Sequence, residues 1–442
     1  MSDQQPKLRK TLGPLMLWGL GVGYVISGMY FGWNLGLEKG GTMGLAIATG
    51  FIIIMYLAFT FSYTELACAI PKAGGAFDYS MRALGKNWGF IGGMAQNIEF
   101  IFAPPAIAFA IGAYLNLFIP AVPVIVIAIV AYLIFTALNI YGVKAAASFE
   151  LIITIVAVIE LLIFAGAALP SFEWANLEKN ALPNGLGGAF AAIPFAIWFF
   201  LAIEGVANVA EETINPQRNI LIGFGSAILT LVVLCILTFC SSVGVAGWEA
   251  IVFAEEGAAA SDSPLPLALS RIYGEGHFLY MLVTSIGLFG LVASFHGIIL
   301  AAGRATFEFG RVGFAPKALG NIHPKFRTPA NALILNTLIG IIALFTGKTG
   351  EIITIACFGA LTLYIVSMVS IIKLRRAEPD LERPFKVPFY PFTPIVALVI
   401  ASVALVAITV YNPWLALIYL GLLAVAFVWF KLTYTTEAAE IN

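Results

Sequence analysis

Charge is scarce in this sequence. Among 442 residues there are 23 Lys and Arg, 24 Asp and Glu and 3 His, so that 11% of the chain is charged whereas 60% is hydrophobic. A soluble globule of this length needs more polar residues to cover its surface. The composition therefore excludes a soluble protein and predicts an all-α polytopic membrane protein.

Cysteine is rarer still. The four cysteines lie within or at the ends of apolar segments, without the spacing of metal ligands: Cys68, Cys235, Cys240 and Cys357. We predict small buried side chains there, no disulfide and no metal site. The chain also lacks a phosphate-binding loop and a nucleophile with an adjacent base, so we predict neither an enzyme nor a cofactor.

Long apolar segments dominate what is present. They cover residues 14–37, 43–69, 89–119, 122–141, 149–170, 187–210, 220–246, 278–303, 329–346, 350–373, 390–410 and 413–433. We predict one membrane-spanning helix from each segment and number them spans 1 to 12. Because the number of spans is even, both termini lie on the same side of the membrane.

The basic residues are distributed unevenly between the two sides. If the N-terminus is cytoplasmic, the cytoplasmic loops and tails hold nineteen of the 23 Lys and Arg, and the outer loops hold four. The four are Lys39, Lys179, Arg271 and Lys348. Because cytoplasmic loops are enriched in Lys and Arg, we predict that both termini are cytoplasmic. We attribute the basic loop 304–328 to contact with membrane lipid headgroups and predict no nucleic-acid binding.

The sixth segment contains a carboxylate in its middle, Glu204. No Lys or Arg lies between Lys179 and Arg218 to pair with it locally. A charge in a membrane helix costs about 2.5–3.5 kcal/mol on insertion scales and usually faces a cavity or a partner. We therefore predict that span 6 opens at Ile203, Glu204 and Gly205 and that Glu204 binds a cation. The alternative is a hydrogen-bonded glutamate that only packs helices.

Span 1 is rich in glycine. Its glycines are Gly19, Gly21, Gly23, Gly28, Gly32 and Gly36. Glycine tolerates unusual dihedrals and allows close approach to the backbone, so the group Ile26, Ser27, Gly28 and Met29 predicts an unwound segment. Close helix packing through small residues is the alternative. Interrupted helices at the first position of each group of five are typical of inverted-repeat transporters, in which the exposed N–H and C=O groups coordinate a substrate.

Six groups of residues resemble motifs of the amino acid-polyamine-organocation transporter family, in the same order along the chain. They are Ile26-Ser27-Gly28-Met29-Tyr30; Glu65-Leu66-Ala67 with Pro71 and Gly74-Gly75; Phe200 to Glu204; Glu211-Glu212 with Asn215-Pro216-Gln217-Arg218; Arg304 with Phe314-Ala315-Pro316; and Arg383-Pro384-Phe385. The resemblance covers nearly the whole chain. Within the family, spans 1 and 3 are most similar to bacterial ethanolamine permeases.

The resemblance implies a five-plus-five inverted repeat of the LeuT type with interrupted spans 1 and 6. On this basis residues 14–373 form a ten-helix transport core, residues 1–13 form a cytoplasmic tail, and residues 374–442 add a cytoplasmic loop, spans 11 and 12 and a short tail. It implies a secondary active transporter of the bacterial inner membrane that imports a small amine, ethanolamine, by alternating access. An amino acid uniporter, symporter or exchanger of the same family is the alternative. A cation channel is the alternative from another class.

The resemblance also implies a substrate pocket between spans 1, 3, 6, 8 and 10, with the substrate bound by the backbone at the two breaks. The corresponding residues are Ile26, Ser27, Gly28, Met29, Phe200, Ala202, Ile203, Glu204 and Gly205. Family members have a glycine at the position of Ile26, where the backbone binds an amino acid carboxylate. A branched side chain at Ile26 would crowd a carboxylate, which favours a substrate with an amine and a hydroxyl.

Glu99 in span 3 is our second predicted ligand for a small ammonium group, because two acids converging on one cation are electrostatically favourable. A hydrogen bond to Gln96 or Asn97 that packs helices is the alternative. Phe102 and Phe200 are predicted to cover the cation through cation–π attraction.

The coupling ion stays open between a proton and sodium. Proton-coupled family members carry a lysine in span 5, whereas the corresponding residue in this chain is Ala157. Glu160, one turn further along, and His296 in span 8 are the candidate proton carriers, and helix packing is the alternative for both. Ser294 is the candidate contributor to a sodium site.

Overall fold

The computed structural model describes residues 10–72, 74–142 and 146–434, without the side chains of residues 146 and 147. Residues 1–9 and 435–442, which make up most of the two predicted tails, lie outside this description. Three basic residues of the orientation count lie outside it too: Lys7, Arg9 and Lys144. Within the described ranges the chain is helical, and its two isolated β-bridges join Leu12 with Thr213 and Phe253 with Ala260.

The first five spans run from Pro14 to Ala168. Span 1 contains α1 (Pro14–Val25) and α2 (Ser27–Tyr30), and the helix α3 (Leu35–Ala69) completes span 1 and forms span 2. The loop that follows contains α4 (Ala76–Leu84). Span 3 is α5 (Lys86–Asn116), span 4 is α6 (Val124–Tyr141) and span 5 is α7 (Ala146–Ala168). Gly41 separates spans 1 and 2 within α3, with φ 65° and ψ −172°. Glycine adopts this conformation without the steric penalty that a Cβ brings.

The second five spans follow the same plan. A 3₁₀ turn (Leu169–Ser171) and α8 (Trp174–Glu178) precede span 6, which contains α9 (Gly185–Ala191), α10 (Ile193–Trp198) and a 3₁₀ helix (Ile203–Glu212). Span 7 is α11 (Pro216–Ala246), and the loop after it contains α12 (Trp248–Val252) and α13 (Pro264–Tyr273). Span 8 is α14 (Phe278–Arg311), which is followed by a 3₁₀ turn (Lys317–Gly320), span 9 is α15 (Ala330–Leu344) and span 10 is α16 (Thr349–Ala377). The last two spans are α17 (Phe392–Tyr411) and α18 (Pro413–Thr433).

Ten stretches of the described chain are long and apolar enough to cross a membrane. The other two predicted spans contain shorter apolar helices, α1 with 12 residues and α15 with 15 residues. Span 1 is short because its helix is interrupted and resumes in the first turns of α3. The all-helical membrane fold predicted from the sequence is therefore confirmed.

The contacts between spans repeat when spans 1–5 are exchanged with spans 6–10. Span 3 packs against span 10 as span 8 packs against span 5, and span 1 packs against span 7 as span 6 packs against span 2. Span 1 also packs against span 5, and span 6 against span 10. This internal correspondence is expected of a five-plus-five repeat. Spans 11 and 12 lie outside it, where α17 contacts spans 2 and 10 and α18 contacts spans 3 and 10.

The interruption of span 1 begins at Ile26, between α1 and α2, as the sequence predicts. One helical turn follows from Ser27 to Tyr30. The chain then becomes extended at Phe31 (φ −161°, ψ 173°) and left-handed at Gly32 (φ 85°). The prediction that residues 27–29 are unwound is therefore corrected, because these residues form a helical turn and the unwound segment follows it.

The interruption of span 6 lies earlier than the sequence predicts. The helix α10 ends at Trp198, and Ala202 adopts a left-handed conformation (φ 74°, ψ 9°). Ile203, Glu204 and Gly205 begin the 3₁₀ helix that follows. The opening therefore lies at residues 199–202, immediately before the three residues at which it was predicted.

Candidate functional site

Glu99 holds the break of span 6 in place. The left-handed conformation of Ala202 costs a residue with a side chain about 1–3 kcal/mol, so surrounding contacts must maintain it. The Ala202 N–H donates a hydrogen bond of 3.1 Å to Oε1 of Glu99 from span 3. The carboxyl group thereby accepts from a backbone donor that the interrupted helix leaves without an intrahelical partner.

Glu204 brings a second acid to the same place. Its carboxyl group lies within hydrogen-bond reach of the Glu99 carboxyl group. Tyr364 of span 10 donates a hydrogen bond of 3.1 Å to Oε2 of Glu204. Both glutamates are completely buried. Among the described residues, no Lys, Arg or His forms an ion pair with either acid.

Each of the two acids has one carboxyl oxygen available as a hydrogen-bond acceptor. Oε2 of Glu99 and Oε1 of Glu204 are buried and, within the described part of the chain, accept no hydrogen bond from a protein donor. The hydroxyl of Tyr56 lies 3.1 Å from that of Tyr364 and adds a further polar atom nearby. An ammonium group carries three donors and no acceptor. The site therefore matches a small primary amine in charge and in hydrogen-bonding capacity.

The alternative partners proposed for Glu99 are engaged elsewhere. The Gln96 amide donates to Oδ1 of Asn208 at 3.2 Å. The Asn97 amide donates to the Gly93 carbonyl at 2.9 Å, and its Oδ1 accepts from Thr306 at 2.8 Å. Glu99 thus points to the break of span 6 and not to its neighbours in span 3.

The two predicted aromatic residues differ in their surroundings. Phe200 is completely buried, and its ring centroid lies 5.2 Å from that of Tyr56, at the edge of the acidic pair. Phe102 is partly buried, and the ring contacts within the described residues do not join it to Tyr56 or Phe200. The structure therefore brings Phe200 to the site more closely than Phe102.

In span 1 the helix is opened by a side chain from span 8. The Ser294 hydroxyl donates a hydrogen bond of 2.6 Å to the Gly23 carbonyl and accepts one of 2.9 Å from the Ser27 N–H. It is inserted between two backbone groups that an uninterrupted helix would bond directly. Ile26 and Met29, on either side of Ser27, are completely buried.

The two breaks touch at Gly28. A Cβ at this position would collide with the carbonyl oxygen of Trp198 and crowd the Cα of Phe199, so a residue with a side chain does not fit. The Trp198 indole N–H donates to the Phe31 carbonyl at 3.0 Å, which satisfies an acceptor in the break of span 1. The predicted residues of spans 1 and 6 therefore lie against each other in the centre of the protein.

The candidate coupling residues each have a buried partner. The hydroxyl of Tyr30 lies within hydrogen-bond distance of two acceptors, Oε2 of Glu160 and, at 2.9 Å, the Ala157 carbonyl oxygen. Nδ1 of His296 lies 3.6 Å from Oε2 of Glu150. Ser294 is occupied with the backbone of span 1, as described above. Among the described residues, no group of three or more His, Cys, Asp or Glu side chains comes together as metal ligands would.

Sequence reasoning missed three residues of these clusters. Tyr56 and Tyr364 are two of 15 tyrosines in an aromatic-rich chain, and their type alone does not distinguish them. Glu150 lies near the end of an apolar segment, where contact with a loop is the ordinary explanation. Its position beside a histidine of span 8 depends on the packing of spans 5 and 8, which a single sequence does not reveal.

Interrupted spans 1 and 6 that meet beside two buried acids are features expected of a multi-pass inverted-repeat transporter. The chain belongs to the amino acid permease family, whose family profile matches residues 12–436. It is accordingly a transporter of the family that the sequence motifs indicated.

Three relatives illustrate the range of substrates in the family. The methylthioribose transporter of Bacillus subtilis is 26% identical over 422 residues, which cover 89% of this chain and 87% of the relative. The branched-chain amino acid permease BcaP of Bacillus subtilis is 25% identical and covers 89% of this chain and 87% of the relative. The low-affinity putrescine importer PlaP of Escherichia coli K12 is 26% identical over an alignment that covers 83% of this chain and 81% of the relative. Family membership thus leaves the substrate to be inferred from the site.

Proposed function

We propose that this protein imports a small amine, ethanolamine, across the bacterial inner membrane by alternating access, with both termini in the cytoplasm. The observation that carries the proposal is the pair of buried carboxyl groups, Glu99 and Glu204, at the break of span 6. The described residues place no Lys, Arg or His in an ion pair with these acids, and two such buried acids favour a cationic ligand or a proton. Coupling of transport to protons is part of this proposal.

The substrate ammonium is bound by the free oxygens of Glu99 and Glu204, in reach of the Tyr364 and Tyr56 hydroxyls, with Phe200 beside them. The backbone at the two breaks supplies further polar groups. The residues proposed for this role are Ile26, Ser27, Gly28, Met29, Ala202, Ile203 and Gly205, with Phe102 at the periphery.

An amine without a carboxylate suits this site better than an amino acid. Two acids repel a substrate carboxylate, and the buried side chain of Ile26 occupies space where the family resemblance places a glycine. The relative named as a putrescine importer supports an amine, and the relative named as a branched-chain amino acid permease supports the alternative. A permease for neutral amino acids is therefore the second candidate.

A competition binding experiment with the purified protein distinguishes an amine transporter from an amino acid permease. Displacement of labelled ethanolamine is measured with three competitors: unlabelled ethanolamine; alanine, which has a carboxylate and lacks the hydroxyl; and ethylene glycol, which lacks the ammonium. We expect displacement by ethanolamine at least tenfold more effective than by alanine, and no displacement by ethylene glycol. Stronger displacement by alanine would overturn the amine assignment in favour of an amino acid permease.

The variant Ile26→Gly sharpens the assignment. It removes the side chain that crowds a carboxylate, so we expect the preference for ethanolamine over alanine to fall. Glu178→Gln, at an exposed acid of α8, is the matched control and should bind as the unmodified protein does. An unchanged preference in Ile26→Gly would show that Ile26 does not select against the carboxylate.

A further inference from the structure

Glu150 of span 5 and His296 of span 8 form a second buried pair. Oε2 of Glu150 lies 3.6 Å from Nδ1 of His296, and their side chains are 3% and 6% exposed. Within the described chain, Oε1 of Glu150 and Nδ1 of His296 make no hydrogen bond. Buried polar groups are almost always hydrogen-bonded. A pair that is buried but incompletely bonded therefore needs an explanation beyond helix packing.

The pair borders a small cavity. This cavity has a volume of about 70 Å³ and is lined by Tyr24, Glu150, His296, Glu212 and Arg304, among others. A volume of this size has room for more than one water molecule. At one end, Arg304 forms an ion pair of 3.0 Å with Glu212, and the Arg304 side chain is 37% exposed. The cavity therefore leads from the buried pair towards solvent on the side that the basic residues mark as cytoplasmic.

The same pair is connected to the opening in span 1. A side chain at Gly23 would contact Oε1 of Glu150, so the carboxyl group lies directly against this backbone. Ser294, two residues before His296 in α14, accepts from Ser27 and donates to Gly23. A change of charge at the pair therefore acts on the backbone at the point where span 1 is opened.

We propose that Glu150 and His296 bind one proton and release it to the cytoplasm through this cavity during each transport cycle. The proton adds to Nδ1 of His296 or to the Glu150 carboxylate, so that the pair changes from a net charge of −1 to 0, and no other bond forms or breaks. Glu160 is not among the residues that line the cavity, and its carboxyl group is bonded to Tyr30. This inference rests on the proposed transport function for its coupling role.

Nearby charges explain when the proton leaves. The titratable and charged groups that face the pair are Tyr24 from span 1, Glu212 from the 3₁₀ helix of span 6 and Arg304 from span 8. While Arg304 is paired with Glu212, the two charges largely cancel at Glu150. When the ion pair separates as the cytoplasmic side opens, the guanidinium favours the charged carboxylate, and the proton is released.

Infrared titration of the protein in lipid, without substrate, tests the proton site directly. Between about pH 5 and pH 8, we expect the difference between the spectra of the unmodified protein and Glu150→Gln to contain a carboxyl or carboxylate band of Glu150 that changes with pH. In His296→Gln this band should persist but change at a different pH. The control Glu178→Gln should retain the band and its pH dependence. A difference spectrum without a pH-dependent carboxyl or carboxylate band would overturn the proposal.

Transport in proteoliposomes tests the coupling. We expect a pH gradient to drive ethanolamine accumulation, and Glu150→Gln to reduce this accumulation at least tenfold while exchange of labelled for unlabelled ethanolamine at equal pH continues. Full gradient-driven accumulation in Glu150→Gln would refute the coupling role. If the unmodified protein transports no ethanolamine, the proposed substrate fails, and the infrared titration still decides whether Glu150 and His296 bind a proton.

Discussion

The breaks in spans 1 and 6 are built alike but differ in charge. Each receives one polar side chain from the third span of the opposite repeat, Glu99 of span 3 at the break of span 6 and Ser294 of span 8 at the break of span 1. Both side chains accept a hydrogen bond from a backbone N–H that an intact helix would use itself. The repeat thus places the same kind of contact twice, once with an acid and once with a neutral hydroxyl.

This difference suggests a division of roles. A hydroxyl can hold the backbone open with no net charge, whereas an acid does so and also attracts a cation. Glu204 places a second carboxyl group at the break of span 6, whereas the carboxyl group beside Gly23 in span 1, that of Glu150, lies 3.6 Å from His296. We therefore assign recognition of the substrate cation to the break of span 6 and opening of the backbone by a neutral hydroxyl to that of span 1.

The largest expected effect is on substrate binding in Glu204→Gln. The amide keeps the shape and an acceptor for Tyr364 but removes the charge. Loss of one partner of a buried, hydrogen-bonded charge pair costs about 2–5 kcal/mol, which is roughly a 30-fold to several-thousand-fold loss of affinity. Equilibrium binding of labelled ethanolamine measures it.

Glu99→Gln is the companion variant. Its side-chain oxygen still accepts from the Ala202 N–H, so the break should persist while affinity falls by a similar factor. An affinity within about twofold of the unmodified protein in either variant would remove that acid from the cation site. Thermal unfolding of each variant checks that the protein is intact.

A smaller effect on binding is expected for Ser294→Ala. The substitution removes two hydrogen bonds, but the Ser27 N–H can then bond the Gly23 carbonyl directly, so the net loss of stability should be about 1 kcal/mol. We expect affinity to fall less than about tenfold, together with a slower transport rate because span 1 resists opening. A loss of affinity as large as in Glu99→Gln would show that the two breaks do not divide their roles.

The sequence identifies the two acids, but it does not predict the arrangement of the residues around them. Glu99 and Glu204 stand out because a charge within an apolar segment is visible without any structure. Their convergence depends on the packing of spans 3 and 6, and the hydrogen bond that joins them to one site crosses 103 positions of the chain.

The positions of the breaks were less predictable for a related reason. Alanine is the strongest helix former, so its type gives no warning of the left-handed conformation at Ala202. Glycines in span 1 mark the correct neighbourhood, but several of them serve close packing, and Gly32 alone among them has a positive φ in the described part of span 1. The helical turn from Ser27 to Tyr30 persists because tertiary contacts override the local glycine.

A further prediction compares the left-handed residues of the two breaks. Ala202 carries a Cβ in a conformation that favours glycine, whereas the break of span 1 has Gly32 there. Ala202→Gly should therefore raise stability by up to about 1 kcal/mol, after allowance for the greater freedom of glycine in the unfolded chain. Gly32→Ala should lower stability, because the Cβ would be strained and would meet the Trp198 ring. Denaturation midpoints measure both, and a lower midpoint for Ala202→Gly would contradict the assignment of strain.

A loop acid, Asp262, is connected indirectly to the break of span 1. Oδ1 of Asn34 accepts from the Gly32 N–H at 3.0 Å, and the Asn34 amide donates to the Ser261 carbonyl at 2.7 Å. The next residue, Asp262, accepts from the Thr349 hydroxyl at the start of span 10 at 3.0 Å. The loop between spans 7 and 8 therefore ties the break of span 1 to span 10. Burial raises the pKa of Asp262 to about 6.

The smallest predicted effect follows from this pKa. Because the folded protein raises the pKa of Asp262 above its ordinary value of 3.8, the stability linked to this group is fully present below about pH 4 and is lost as the pH rises through about 6. Asp262→Asn should remove this part of the pH dependence and be slightly more stable than the unmodified protein at neutral pH. Thermal midpoints measured from pH 4 to pH 8 test it, with Glu178→Gln as the control. A midpoint profile that Asp262→Asn leaves unchanged would show that Asp262 contributes nothing to the pH dependence of stability.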